Sequence, residues 1–195
     1  MKKGKLSPLL VAGLILILCS LCLGLFFGIR TYVGTQTRQK ALERMDELLP
    51  ERTQGVPGMY PDSTMPALEI AGTDYVAVLE VPTFDVRLPV AAQWDSGKLY
   101  RGPARFSGSA YDSTLVIGGA DQAQQLGFCD KIEHGTPITV TDMTGATFTY
   151  YVTHVDRAKH AESAWLMQSE YHLTLFCHDV NSMEYIAVRC TLADR

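Results

Sequence analysis

The pattern of apolar and polar positions changes twice along this chain. Residues Leu6 to Ile29 carry no charged side chain over twenty-four positions. Wound as a helix at about 1.5 Å per residue, that run reaches about 36 Å. It can therefore cross a hydrocarbon core of about 30 Å with some tilt. The competing reading is a cleavable secretory signal. The run is longer than the apolar core of such signals, and no Ala-x-Ala-like site follows it. An uncleaved single-pass anchor is the expectation. From Thr35 to Leu49 the pattern becomes amphipathic, with Ala41, Leu42, Met45, Leu48 and Leu49 at helical spacing. This predicts a short stalk helix that leans on the domain or on a partner. Pro50 and the run Gly55-Val56-Pro57-Gly58-Met59-Tyr60-Pro61 end it, so 50–66 reads as a linker.

From Tyr75 onward the period shortens to two, or becomes continuously apolar over four to eight residues, with turn residues between. Strands are predicted over Tyr75–Val81, Val86–Val90, Thr114–Gly118, Thr136–Val140, Ala146–Thr153, Leu173–His178 and Tyr185–Cys190. Asp142-Met143-Thr144-Gly145 supplies a hairpin turn. Helix is confined to a turn near Gln122–Leu126 and a stretch near Ala161–Gln168. So many short strands in about 120 residues predict an all-β domain, either a closed barrel or a sandwich.

Charge narrows the partners. The formal net charge is −4, but Lys2, Lys3, Lys5 and Arg30 make the first thirty residues +4, which leaves −8 on the rest. A domain that acidic is a poor partner for nucleic acid or anionic wall polymers. The basic tail 1–5 favours a cytoplasmic N-terminus, although Arg38, Lys40 and Arg44 follow the apolar run. The expected organisation is a cytoplasmic tail 1–5, a membrane anchor 6–30, a stalk and linker 31–66, and an extracellular domain 67–195. Among the five cysteines, Cys19 and Cys22 fall in the anchor, leaving Cys129, Cys177 and Cys190 outside. An odd number leaves at least one thiol free. No Cys-x-x-Cys, His-x-x-x-His or carboxylate cluster of metal-site spacing is present, and no cofactor is expected.

Several stretches, in order, resemble sortases, the cysteine transpeptidases of the Gram-positive cell surface. Tyr75–Pro82 resembles their first strand. Leu99–Ser109 resembles the loop holding a small-Arg-Tyr-Ser-Gly sequence, which places Arg105 at the groove. Val116-Ile117-Gly118-Gly119-Ala120-Asp121 resembles the V-I-A-G-H-N segment of the catalytic histidine. Gln125-Leu126-Gly127 falls where relatives have H-F-G. Leu173–His178 and Val188–Cys190 resemble the nucleophile and arginine strands. The resemblance covers about Tyr75 to Thr191 and implies an eight-stranded β-barrel behind a single N-terminal transmembrane helix. In such enzymes a thiolate attacks a threonine carbonyl of a sorting signal, an imidazole moves protons, and an arginine steadies the oxyanion.

Here the chemistry departs from the frame. Aligned without gaps, Ala120 stands at the histidine, His178 at the cysteine and Tyr185 at the arginine. A rival alignment deletes one residue and keeps Cys177 as nucleophile. Strand geometry separates the two, because a one-residue slip turns every side chain to the other face. Without the gap, Thr174, Phe176 and His178 share the groove face, while Leu173, Leu175 and Cys177 face the core. That apolar set suits a barrel interior, so the gapless reading is preferred. On the next strand Ile186, Val188 and Cys190 form the core face, leaving Tyr185, Ala187 and Arg189 opposite. Arg189 is expected to be a solvated strand-end charge. A Cys177–Cys190 disulfide stays open, since the register is unknown.

The expected function is a catalytically degenerate homologue at the cell membrane that binds a sorting-signal peptide, a pilin-like surface protein or an active sortase. The alternative is a working transpeptidase or hydrolase with a rearranged site built on Cys177 and Arg189.

Overall fold

The computed structural model describes residues 8–193, so the basic tail 1–5 lies outside the described residues. Helix α1 runs unbroken from Pro8 to Leu48. The anchor and the stalk helix expected from sequence are therefore one rod. Gly34 lies between the two stretches and serves close packing. A Cβ there would fall 2.1 Å from the backbone oxygen of Tyr100. Gly34, Arg38, Ala41 and Met45 follow helical spacing and face the barrel. Arg38 donates to the Tyr100 carbonyl at 3.2 Å, and Ala41 and Met45 pack on Tyr75 and Val78. Arg87 then bonds Asp46 near the helix end and Glu80 at 3.0 Å, and Arg52 forks onto Glu80 at 2.7 and 2.9 Å.

The strands are β1 (Thr53–Gln54), β2 (Leu68–Ile70), β3 (Thr73–Val81), β4 (Val86–Ala91), β5 (Ala104–Ser107), β6 (Leu115–Gly118), β7 (Pro137–Asp142), β8 (Ala146–Ala158), β9 (Leu173–Asp179) and β10 (Glu184–Leu192). Eight of them close a barrel in the order β3-β4-β5-β6-β9-β10-β8-β7, with β7 returning to β3. The short β1 and β2 are added at β8 and β3. The fold class read from the sequence holds. Two details differ: β5 forms inside the stretch read as a loop, and β8 continues five residues past Thr153. The predicted helical stretch near Ala161–Gln168 narrows to α2 (Ser163–Leu166).

Period-two alternation fills the barrel. Leu173, Leu175, Cys177, Ile186, Val188 and Cys190 all join one interior cluster with Leu79, Ile117, Ile138, Val140 and Phe148. The register excludes the disulfide left open above. Cys177 lies opposite Ile186, and Cys190 opposite Leu173. The two sulfurs are thus staggered by four residues, about 13 Å of strand, beyond the reach of a bridge. All three domain cysteines are free and buried.

This interior makes the domain sensitive to alkali. The Tyr150 hydroxyl is buried with no hydrogen-bond partner among the described residues. Burial pushes its pKa up, and burial does the same to the Cys129 and Cys190 thiols. Unfolded, such groups titrate near 8.5 for cysteine and near 10 for tyrosine. Folded values above unfolded ones mean stability is fully present below about pH 8.5 and is lost as pH rises, because only the unfolded chain releases these protons. The urea midpoint should hold from about pH 7 to 8 and fall between about pH 9 and 11. Tyr150→Phe should shallow that fall above about pH 10. A midpoint unchanged up to pH 11 would contradict this account.

Candidate functional site

Strand β9 lies between β6, which runs parallel to it, and β10, which runs antiparallel. Its outward side chains, Thr174, Phe176 and His178, therefore meet those of β6 on one side and those of β10 on the other. Opposite them on β10 stand Arg189, Ala187 and Tyr185. Beyond the end of β6, the Gly119 N–H donates to the Phe176 carbonyl at 3.0 Å, which carries the parallel pairing one step further and sets Ala120 beside the end of β9. Ala120, His178 and Tyr185 thus gather in one corner of the barrel. The His178 and Tyr185 rings meet edge to face, with centroids 4.8 Å apart. The backbone holds this corner from both sides. The Ala120 carbonyl accepts from Gln122 and Leu126, and the Asp121 carboxylate accepts from the Val180 N–H at 3.3 Å. In the β9–β10 turn, hydrogen bonds from Ser182 and the Asn181 N–H hold the Asp179 carboxyl below the usual carboxylate range.

Cys177 takes the opposite direction. It is 1% exposed inside the barrel, with its Sγ 3.7 Å from the Leu126 carbonyl. Neighbouring Cys129 is fully buried as well, and burial and the adjacent Cys177 push the Cys129 thiol up.

Arg189 corrects a sequence expectation. It is not a solvated strand end: it is 0% exposed. Its Nε donates to Asp156 at 3.0 Å, and its Nη1 donates to the Leu166 carbonyl at 3.0 Å and to Thr174 Oγ1 at 3.2 Å. Its Nη2 donates to the Trp165 carbonyl, and the guanidinium lies 4.9 Å from the Trp165 ring centroid. Sequence reading missed this because the covering residues come from the β8–β9 connection, far from Arg189 in the chain. A single arginine on the outer face of an otherwise apolar strand was the available hint.

The outer face of β9, expected to be the groove, is covered by the chain itself. Trp94, Phe106 and Phe176 form a three-ring cluster with centroid separations of 5.2 to 5.5 Å. Leu166 and Trp165 of α2 complete the cover over Val116 and Ala187. Gly118 makes room for it, since a Cβ there would fall 2.3 Å from Trp94 and 2.5 Å from Phe176. The related segment quoted above carries alanine at this point. Of the groove residues expected from sequence, Thr174 and Phe176 are buried under this cover. Arg105 is half-buried, donates to the Ala92 carbonyl at 3.2 Å, and lines an open depression of about 470 Å³ with Trp94, Phe106 and Asp112. A larger cavity, about 540 Å³, lies between β4 and the 3-10 turn Ser96–Arg101. Among the described residues no group of three or more His, Cys, Asp or Glu is placed to hold a metal ion.

No protein-family model and no curated protein matches this sequence. Solved structures do match its fold. Sortase A from Corynebacterium diphtheriae aligns at TM-score 0.56 and 21% identity over 63% of this chain and 62% of that one, less than two-thirds of its length. A lid mutant of the same enzyme aligns at 0.53 and 17% identity, over 84% of this chain and 95% of that one. Clostridium perfringens sortase C, solved with the C-terminal cell wall sorting motif, aligns at 0.52 and 18% identity, over 63% and 72%. The described fold is sortase-like.

Proposed function

We propose that this chain is a non-catalytic sortase homologue, anchored by α1 in the cell membrane with its barrel outside. It acts by binding a surface protein or an active sortase rather than by acyl transfer. One observation carries this reading: the cysteine nearest the family's nucleophile position, Cys177, points into the barrel. Three further features support it. The corner where a thiol, an imidazole and a guanidinium would meet holds Ala120, His178 and Tyr185 instead. Only one of those is an imidazole, and it stands where the nucleophile belongs. The face that would bind an extended peptide is covered by α2 and the aromatic cluster. The rearranged site built on Cys177 and Arg189 lacks geometric support, because the two side chains leave adjacent strands on opposite faces of the sheet.

Thiol accessibility tests the reading. In a Cys19→Ser/Cys22→Ser background, the native chain in detergent is treated with a maleimide at pH 7. Cys177 should stay unmodified for hours and react within minutes once unfolded. A sorting-signal peptide should be neither cleaved nor trapped as a thioester, and an active sortase should co-elute with the chain. Rapid labelling of Cys177 together with peptide cleavage would sink the proposal.

A further inference from the structure

We infer that the 3-10 turn Ser96–Arg101, together with Arg30, is a docking surface for anionic phospholipid headgroups. This rests on the reading of α1 as a membrane span. The apolar side chains of α1 from Leu9 to Val33 are exposed on every side, so nothing in the fold covers them. Their charge-free run ends at Ile29. The next residue already touches the barrel: Arg30 Nη2 donates to the Gly97 carbonyl at 2.9 Å, and its guanidinium lies 4.3 Å from the Tyr100 ring centroid. Four residues on, Gly34 packs against the Tyr100 backbone. Because the helix is continuous, the turn sits within about 7.5 Å of Ile29 along the axis. One headgroup layer is about 5–7.5 Å thick. The barrel is seated on the helix at this point by direct contact, since the 50–66 linker leaves from the opposite end of α1.

The chemistry of the turn fits that position. Arg30 and Arg101 lie against one aromatic ring, Tyr100, with Arg101 Nε donating to the Tyr100 hydroxyl at 3.1 Å, and Lys98 stands on the same turn. One carboxylate, Asp95, pairs with Lys98 at 3.0 Å. Three cations, Arg30, Lys98 and Arg101, outnumber the carboxylates beside them, Asp95 and Asp74, next to a domain whose residues 31–195 sum formally to −8. The acidic remainder of the domain is repelled by an anionic leaflet while this patch is attracted to it. The barrel is therefore held in one orientation. An aromatic ring ringed by basic residues at headgroup depth is also the usual composition of a membrane interface.

Fluorescent reporters in lipid nanodiscs test this, with the full chain in a Cys19→Ser/Cys22→Ser background. Bimane is placed singly at Phe27→Cys, Ser96→Cys or Thr144→Cys, and the lipids carry a spin label on the headgroup or in the acyl chain. The Phe27 site should be quenched from the acyl chain in every lipid. The Ser96 site should be quenched from the headgroup at least threefold more than the Thr144 site. That quenching should rise when phosphatidylglycerol replaces phosphatidylcholine and should lose the rise in Lys98→Glu/Arg101→Glu. If Phe27 is not quenched, the membrane span itself fails. If Phe27 is quenched but Ser96 is no closer than Thr144, the docking surface is overturned and the span stands. If Ser96 is quenched equally in both lipids, or the charge reversal changes nothing, the anionic headgroup is overturned as the ligand.

Discussion

Arg189→Ala should be the most damaging single substitution outside the barrel interior, with an expected loss of roughly 2–6 kcal/mol from its two stranded carbonyl acceptors. Its guanidinium is fully buried and donates to four acceptors: Asp156, Thr174 and the Leu166 and Trp165 carbonyls. Removing it leaves two backbone carbonyls of α2 without a donor at a site closed to water. The loss has a local signature. Without its partner, α2 should lift, Trp165 fluorescence should shift to the red, and the Phe176 face should bind a hydrophobic dye. Arg189→Lys should recover only part of the stability, since a single ammonium cannot reproduce a planar fork spread over carboxylate, hydroxyl and two carbonyls. Urea unfolding of the three proteins, read by tryptophan emission, checks both points. Equal stability of Arg189→Ala and the parent would show that the cover is held by apolar packing alone. The same variant bears on function: if the covered face is a latent peptide groove, Arg189→Ala should bind a sorting-signal peptide that the parent does not.

The second large effect belongs to Asp142, where β7 turns into β8. Its carboxylate is buried and accepts from the Thr144 N–H and hydroxyl, each at 2.8 Å, from the Ala146 N–H at 2.9 Å, and from the Tyr111 hydroxyl. Asp142→Ala strands two backbone donors and a phenol. At about 1–3 kcal/mol for each buried unpaired group, a loss of at least about 3 kcal/mol is expected. The damage should spread to the linker, because Tyr111 stacks face to face on Tyr60 at 3.7 Å. Limited proteolysis should then cut between Gly55 and Pro61 in the variant and not in the parent. Asp142→Asn should lose less, since one amide oxygen still accepts. Cleavage at the same rate in both proteins would mean that the linker is held by something other than this stack.

The face assignment of β9 and β10 could be read in advance because strand alternation is local. Once Leu173 and Leu175 are placed inside, Cys177 must follow them and His178 must point away. Arg189 followed the same rule as to face, but its exposure did not. Whether an outward arginine meets water depends on whether another segment crosses above it, and here α2 does. Register behaved likewise. Alternation put Cys177 and Cys190 on one face without saying that they are staggered along it.

Sequence alone determined the apolar N-terminal run and the all-β character of the domain, while the closed barrel and the expected site positions Ala120, His178 and Tyr185 came from the resemblance to sortases. The first two depend on residue identity and on spacings of two or 3.6, which act over a few neighbours. Only the tertiary structure decided that α1 is one rod docked through Gly34, that Arg189 is a buried clamp, that Trp94, Phe106 and Trp165 cover the outer face of β9, and that a basic turn stands beside the end of the apolar run of α1. Each of these joins segments distant in the chain, as with Trp165 and Arg189, 24 positions apart, or Arg30 and Gly97, 67 apart. Such meetings are set by how the closed barrel routes its connections, and no local period encodes that route.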